Sequence, residues 1–386
     1  MELVNPNTSF TWTGALDING VAMSGLVEKQ GIAFSRHGYL EAKSHGGDAD
    51  AIGRAIRARH RPLSHSVLSS ARDEYVRKEV PSFPRYFIIE PTAYCNRKCF
   101  FCPITVTNRY GAKMKWEHFE KLMWECRGQN VYGLSLYQLG ESLLYKDKRK
   151  GDVDVDIADM VDLAKVVGFK AVNISTNGDV PNLDILLGCG LSDLLFSIDG
   201  TTPEVYSENR PSTKSNDPDA FNRTVERTRA FLELKAQSGE SDPWCRLQII
   251  NNHLTAPQIL DFIRYWIEVP GVDDILVKHL DSMGAWLGNT VVSEEESSQK
   301  RERVKNMPCQ HLWAIGSMTA TGQLNGCCHD ALTELTTADA NIEKMTFSEW
   351  WNGDYMNTLR TEHMGLEHGG KLRTPCANCL ERDPWL

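Results

Sequence analysis

Glu90-Pro-Thr-Ala-Tyr-Cys95-Asn-Arg-Lys-Cys99-Phe-Phe101-Cys102 is the stretch on which the reading turns. It follows directly on a short apolar run at 86–90, so three thiols in a C-x3-C-x2-C arrangement stand on a loop after a strand. Three closely spaced thiolates can each take one iron of a [4Fe–4S] cube and leave the fourth iron without a protein ligand. A structural zinc site asks for four ligands, commonly in C-x2-C pairs, and accounts poorly for three thiols in this setting. An open iron is a reactive position, so the loop points to chemistry.

Outward from the loop, short apolar runs alternate with amphipathic stretches of helical period, the pattern of a β/α protein with a mainly parallel sheet. Strands are predicted at 86–90, 133–138, 170–175, 193–198, 244–251 and 274–280. Helices are predicted at 116–126, 157–167, 219–234 and 256–267. Six such units suit a partial (β/α)6 TIM barrel, in which reactive groups gather after the C-terminal strand ends. Residues 1–82 break the rhythm and are read as an N-terminal extension, Gly-punctuated over 14–40 with helices expected at 49–60 and 67–80. The barrel is assigned to 83–292, a solvated linker helix rich in Glu, Lys and Arg to 293–307, and a cysteine-bearing C-terminal domain to 308–386.

Composition narrows the class. The chain has 386 residues, 41% of them hydrophobic and 24% charged, the balance of a folded globular protein rather than a disordered one. Forty-two Lys plus Arg against 51 Asp plus Glu give a net charge of -9, which argues against nucleic acid or an anionic membrane as partner. No apolar run approaches the roughly 18 residues of a membrane span. The first ten residues lack a signal-peptide layout, so a cytoplasmic protein is expected. Eleven cysteines are too sparse for a disulfide scaffold, and in a reducing compartment clustered thiols hold metal or do chemistry.

With Phe101 before Cys102, the loop resembles the C-x3-C-x-aromatic-C signature of the radical S-adenosylmethionine (SAM) superfamily. The resemblance implies a [4Fe–4S] cluster on Cys95, Cys99 and Cys102 whose open iron chelates the amino and carboxylate groups of SAM. It further implies a 5′-deoxyadenosyl radical that abstracts hydrogen from substrate, the protein supplying orientation and protection. Supporting segments come in the family's order. Gly140-Glu141 resembles the motif that meets the SAM amino group. Ser175-Thr-Asn177-Gly and Ser197-Ile-Asp199-Gly end the third and fourth strands, the latter where the family contacts the ribose. Singly these are common turn dipeptides; together, behind one cysteine loop, they form a set. Arg210 offers a planar fork for the SAM carboxylate or for solvent.

The tail carries Cys309, Gly322, Cys327, Cys328 and a closing Cys376-Ala-Asn-Cys379. Cys309, Cys327, Cys376 and Cys379 make a full set of four ligands, a count that suits tetrahedral zinc and a fully ligated iron–sulfur cluster alike. The run 309–379 resembles the SPASM/twitch extension of radical SAM enzymes in its one-cluster form, which implies an auxiliary [4Fe–4S] cluster. Cys328 is a neighbour able to substitute for Cys327. Cys126, Cys189 and Cys245 fall inside predicted elements, where a lone Cys is usually a small buried hydrophobe.

The resemblance spans about three quarters of the chain and settles the initiating chemistry better than the substrate, because fold does not define function. One reading, similar to the one-cluster aminoglycoside enzymes, oxidises a sugar, aminocyclitol or related small polar metabolite. A second modifies a residue in a precursor peptide. A third is a non-enzymatic metal-binding or scaffold protein, and a variant of the first is redox-neutral epimerisation of the same kind of small molecule, for which Cys245 would return a hydrogen atom. Proton-transfer candidates are Arg246, His279 and Asp281, expected near C-terminal strand ends, with rim salt bridges as the competing use. A reductant such as flavodoxin or ferredoxin completes the expected partners.

Overall fold

The computed structural model describes residues 16–23, 26–28, 31–45, 47–52, 54, 79–280, 298, 302, 304, 306 and 308–379. Most of the helix expected at 67–80, most of the 293–307 linker and most of the helix at 49–60 therefore lie outside the described residues. In chain order the elements are β1 (Leu16–Ile18), β2 (Val21–Met23), β3 (Leu26–Glu28), β4 (Gly31–Ser35) and α1 (Arg36–His45). Next come β5 (Tyr86–Ile89), α2 (Trp116–Cys126), β6 (Gly133–Ser135), β7 (Lys146–Arg149), β8 (Val153–Asp156) and α3 (Ile157–Val167). They continue as β9 (Ala171–Thr176), β10 (Asp193–Ser197), α4 (Pro203–Asn209), α5 (Ala220–Ser238), β11 (Trp244–Asn251), α6 (Ile259–Trp266) and β12 (Asp274–His279). The tail holds α7 (His311–Ala314), β13 (Ile315–Met318), β14 (Leu324–Asn325), α8 (Phe347–Asn352) and α9 (Asp354–Met364). Each of the six predicted strands forms. Parallel strands alternating with helices make this the mixed α/β fold of a partial barrel.

The chain divides into two compact units. The first comprises Met1–Pro62, Asn96–Phe101 and Ser175–Leu280. Here β10, β11 and β12 run parallel, with Ser197 beside Gln248 and Asn251 beside His279. The first seven residues of β11 are buried without alternation, as expected of a parallel strand covered on both faces. The N-terminal strands β4 and β3 add antiparallel to the far side of β12. Before them β1 and β2 form a hairpin whose Asn19-Gly20 turn takes positive φ at both positions, the twist a two-residue hairpin favours.

The second unit comprises Leu63–Cys95, Cys102–Ile174 and Asp281–Leu386. Its parallel strands are β13, β5 and β6 with the 171–173 part of β9. Helix α2 buries Trp116, Phe119, Leu122, Met123 and Cys126, a spacing that keeps one face of a 3.6-residue helix inward. Helix α3 starts with a capping box of Asp156 and Asp159 and stops at Gly168 in the left-handed conformation. A charged hairpin, β7 with β8, stands between β6 and α3. No described helix is long and apolar enough to cross a membrane.

Candidate functional site

Within the first unit, the middle of the cysteine loop is tied down residue by residue. Asn96 donates from Nδ2 to the Asp179 carbonyl at 2.9 Å and accepts at Oδ1 from Asn177 at 2.7 Å. Arg97, 1% exposed, pairs with the Asp179 carboxylate, which also accepts from Arg223 and Arg227. The Lys98 amide donates to the Pro211 carbonyl at 2.8 Å, and the Thr213 amide to the Asn96 carbonyl at 3.0 Å. Asn177 sits just past β9 because its own Oδ1 accepts from the Asp179 amide at 2.8 Å, an Asx turn that aims the side chain back at the loop.

Cys99 is buried in this unit, and Arg210 Nη1 lies 3.7 Å from its Sγ. The Arg210 guanidinium also stands 5.5 Å from the centroid of the Phe101 ring. Its Nε donates to Asp199 Oδ2 at 2.7 Å, while Asp199 Oδ1 accepts from the Ile250 amide at 2.6 Å. Burial pushes the Cys99 thiol above its ordinary value, and the Arg210 charge works the other way. For Arg210 burial is the largest influence and works against the charge, but Asp199, Cys99 and Tyr206 together outweigh it and hold the guanidinium above its usual range. Ser197 accepts from Gln248 Nε2 at 3.0 Å; Ser175 is half-buried on β9.

In the second unit, Cys95 and Cys102 are both half-buried. Cys102 precedes a 3-10 turn, Pro103–Val106, whose proline suits the first helical position. The Gly140-Glu141 segment lies against the backbone just before Cys95. A Cβ on Gly140 would come 1.9 Å from the Thr92 carbonyl oxygen, and the Glu141 amide donates to the Tyr94 carbonyl at 2.9 Å. Glu141 is itself 2% exposed and accepts from the Leu143 amide at 3.3 Å. Glu90, at the end of β5, is wholly buried and pairs with Arg109, which also donates to the Ala331 carbonyl at 2.7 Å.

These details bear on whether a cluster and SAM fit. In the first unit, a loop pinned through side chains and a buried Cys99 with an N–H donor on its sulfur suit a cluster ligand. In the second, by itself, a glycine without a side chain lets the Thr92 carbonyl approach the segment that ends at Cys95. The residues present in each unit fit their share of the group.

The proton-transfer candidates separate. Arg246, expected near the end of its strand, is the third residue of β11; it is buried and binds Asp274 through Nε at 2.5 Å and Nη2 at 2.8 Å. Cys245 lies beside it, fully buried, its thiol 3.3 Å from the Pro243 carbonyl and pushed well above its ordinary value by burial. In the parallel register it stands opposite Leu194, towards the strand starts, whereas Ser197 stands opposite Gln248. His279 ends β12 and is exposed. Asp281 lies outside the described residues.

In the tail, Cys309 and Cys376 are buried and Cys327 and Cys379 half-buried. The Cys309 amide donates to His363 Nδ1 at 3.0 Å. Hydrogen bonding between the Cys327 and Cys328 sulfurs, together with burial, pushes the Cys327 thiol well above its ordinary value. Sequence reasoning missed Asn96, Arg97 and Asp179, although Asp179 follows the Asn177-Gly178 turn directly. It also missed His311 beside Cys327 and Cys328.

Residues 89–234 match the Radical SAM superfamily. No curated protein matches the chain. Among solved structures, SuiB from Streptococcus suis bound to the precursor peptide SuiA is similar at 14% identity and a TM-score of 0.52, over 81% of this chain and 74% of that one. BtrN in complex with AdoMet and 2-DOIA shares 15% identity at a TM-score of 0.45, over 74% of this chain and 89% of that one. Native anSMEcpe with bound AdoMet shares 13% at 0.47, over 72% and 84%. The matched span takes in the cysteine loop and the Gly140-Glu141 segment, so residues 89–234 are similar to a radical SAM domain.

Proposed function

We propose that this protein is a radical SAM oxidoreductase that removes a carbon-bound hydrogen from a small polar metabolite, a sugar, aminocyclitol or related natural-product intermediate. The observation that carries the radical SAM reading is the three-cysteine loop with Gly140-Glu141 packed on the backbone that leads into it. Cys95, Cys99 and Cys102 would hold a [4Fe–4S] cluster with one open iron. Phe101, Gly140, Glu141, Ser175, Asn177, Ser197, Asp199 and Arg210 would bind SAM. When reduced by a donor such as flavodoxin or ferredoxin, the bound pair supplies a 5′-deoxyadenosyl radical that takes a hydrogen atom from carbon.

The chain's own groups orient that event and complete it. Gly140 admits the Thr92 carbonyl where any side chain would displace it, which sets Glu141 beside the cysteine loop. Asp199, fixed by the Ile250 amide, holds the Arg210 fork on the Cys99 sulfur. Oxidation then needs a proton acceptor and an electron acceptor. His279, exposed at the C-terminal end of β12, would take the proton on its imidazole. Cys309, Cys327, Cys376 and Cys379 would hold an auxiliary [4Fe–4S] cluster, the electron acceptor that an oxidation requires. The buried position of Cys245 towards the start of β11 supports oxidation over an epimerisation that uses its thiol.

A second reading, modification of a precursor peptide, draws on the similarity in fold to SuiB, whose structure holds the peptide SuiA. Anaerobic reactions with candidate metabolites and peptides, followed by mass spectrometry for 5′-deoxyadenosine and a substrate mass change, decide between them. A metabolite that loses two hydrogens as 5′-deoxyadenosine forms supports the first reading. A modified peptide with every metabolite unchanged would replace it.

A further inference from the structure

Within the second unit a buried ion pair joins the frame of the cysteine loop to the tail. Glu90, wholly buried after β5, accepts from Arg109 Nε at 2.8 Å and from Nη2 at 3.3 Å, a two-pronged contact that suits a planar guanidinium. Glu90 Oε2 also accepts the Ala320 amide at 3.0 Å. The remaining prong of Arg109 turns to the tail: Nη1 donates to the Ala331 carbonyl at 2.7 Å and to Thr333 Oγ1 at 2.9 Å. One buried guanidinium thus serves both sides at once.

Each side is itself anchored. The Ala112 amide donates to the Arg109 carbonyl at 2.8 Å, and the Ala93 amide to the Ala112 carbonyl at 2.7 Å, so Arg109 belongs to backbone that pairs the approach to Cys95 with the segment after Cys102. On the tail side, the receiving loop carries Cys327 and Cys328, and Gln138 Nε2 donates to the Cys328 carbonyl at 2.8 Å. Ala93, Ile104 and Leu139 pack with Ala320 and Ala331 beneath these contacts. Thr333 has a φ of 62°, a left-handed conformation that a β-branched residue keeps only when its surroundings impose it. The bond from Arg109 to its hydroxyl is one of the contacts that hold it there.

We propose that Arg109, oriented by Glu90, is a positioning residue that docks the tail loop 327–333 on the frame of the cysteine loop and so presents Cys327 as a ligand of the tail cluster. This rests on the reading of the tail as an auxiliary-cluster domain and adds to it a residue outside the cysteine motifs. Lysine would keep the charge beside Glu90, but its single ammonium cannot reproduce the fork that serves Glu90, Ala331 and Thr333 together. Contacts of this kind, one step removed from the ligands, set where the ligands stand.

The test reads thiol access in the metal-free full-length chain, treated with iodoacetamide and followed cysteine by cysteine by mass spectrometry. Arg109→Lys should speed alkylation of Cys327 and Cys328 about tenfold by letting their loop open, while Cys126, buried in α2 of the same unit, stays protected. Thr333→Val, which leaves the pair with Glu90 whole, should give a smaller rise at the same two thiols. In the chain reconstituted with iron and sulfide, Arg109→Lys should also broaden the electron paramagnetic resonance signal of the reduced tail cluster. Unchanged alkylation in both variants, or an unaltered tail signal, would overturn the positioning role. A rise that Cys126 shares in both variants would mark a general loss of stability and overturn it too. A selective rise in a protein whose wild type shows no tail signal would uphold the docking and overturn the auxiliary-cluster reading.

Discussion

Arg210 shows how a single residue can be placed from sequence while its use waits for structure. Its position after the fourth strand offers its fork to the SAM carboxylate or to solvent, and its guanidinium binds Asp199 and reaches the Cys99 sulfur at 3.7 Å. Positive charge and N–H donors near cluster sulfurs favour the reduced, more negative state. Arg210→Gln is therefore expected to lower the midpoint potential of the cluster in the absence of SAM, measured by a redox titration followed by electron paramagnetic resonance, with Arg210→Lys intermediate. An unchanged potential would separate Arg210 from the cluster. Gly140 was legible only as half of a Gly-Glu pair; the reason it must be glycine is the Thr92 carbonyl, which no local pattern reveals. Gly140→Ala should cost about 1–3 kcal/mol of stability and loosen the loop before Cys95, visible as a lower unfolding midpoint in denaturant. Glu141→Ala should instead weaken SAM binding in equilibrium dialysis while leaving the visible absorbance of the cluster largely intact. Unchanged affinity would remove Glu141 from the SAM site.

At the scale of elements, the sequence was most legible where burial imposes a period. The β11 run at 244–251 reads as a strand from Trp244, Leu247, Ile249 and Ile250, and α2 and α3 read as helices because their apolar faces repeat at three and four residues. The β7–β8 hairpin escaped because Lys146–Arg149 and Val153–Asp156 carry mostly charged side chains and present no apolar face; its turn is set by Gly151 and Asp152 in positive φ. The cysteine loop was legible as a metal motif but not as a braced element, since its brace is made by partners more than eighty residues away. Asp179 gathers Arg97 from the loop together with Arg223 and Arg227 from α5. Removing one member of a buried ion pair typically costs about 3–5 kcal/mol, because the charge left behind has lost its compensation. Asp179→Ala is accordingly expected to lower the melting temperature and the iron retained per chain after gel filtration, although Asp179 touches no cysteine. Full iron retention with unchanged melting would show that the loop holds its shape without the brace.

For the molecule as a whole, the N-terminal segment was legible as a segment and not as strands, because pairing with a distant partner leaves little local trace, whereas the tail was legible as a strand, a turn at Gly322 and a strand. Within the first unit β4 adds antiparallel to β12, and within the second β13 extends the parallel run at β5. The tail is thus part of the folded unit that carries Cys95 and Cys102, which gives its thiols a reason to work with the same reaction. If Cys309, Cys327, Cys376 and Cys379 occupy all four irons of a second cube, that cube has no vacancy for SAM or substrate, and its remaining use is to pass an electron or brace the wall. Electron transfer makes a definite demand on the products. Removing a hydrogen atom, then a proton, leaves one electron that must depart before a ketone can form. Replacing Cys376 and Cys379 by Ser should therefore reduce iron from about eight to about four per chain and preserve 5′-deoxyadenosine formation while suppressing oxidised product. Far-ultraviolet circular dichroism establishes that the variant is folded. Oxidised product formed at the wild-type ratio to 5′-deoxyadenosine would show that the electron leaves by another route. An isomeric product carrying solvent deuterium at carbon, lost in Cys245→Ala, would replace oxidation with epimerisation and require the Cys245 thiol to become accessible from its buried place on β11.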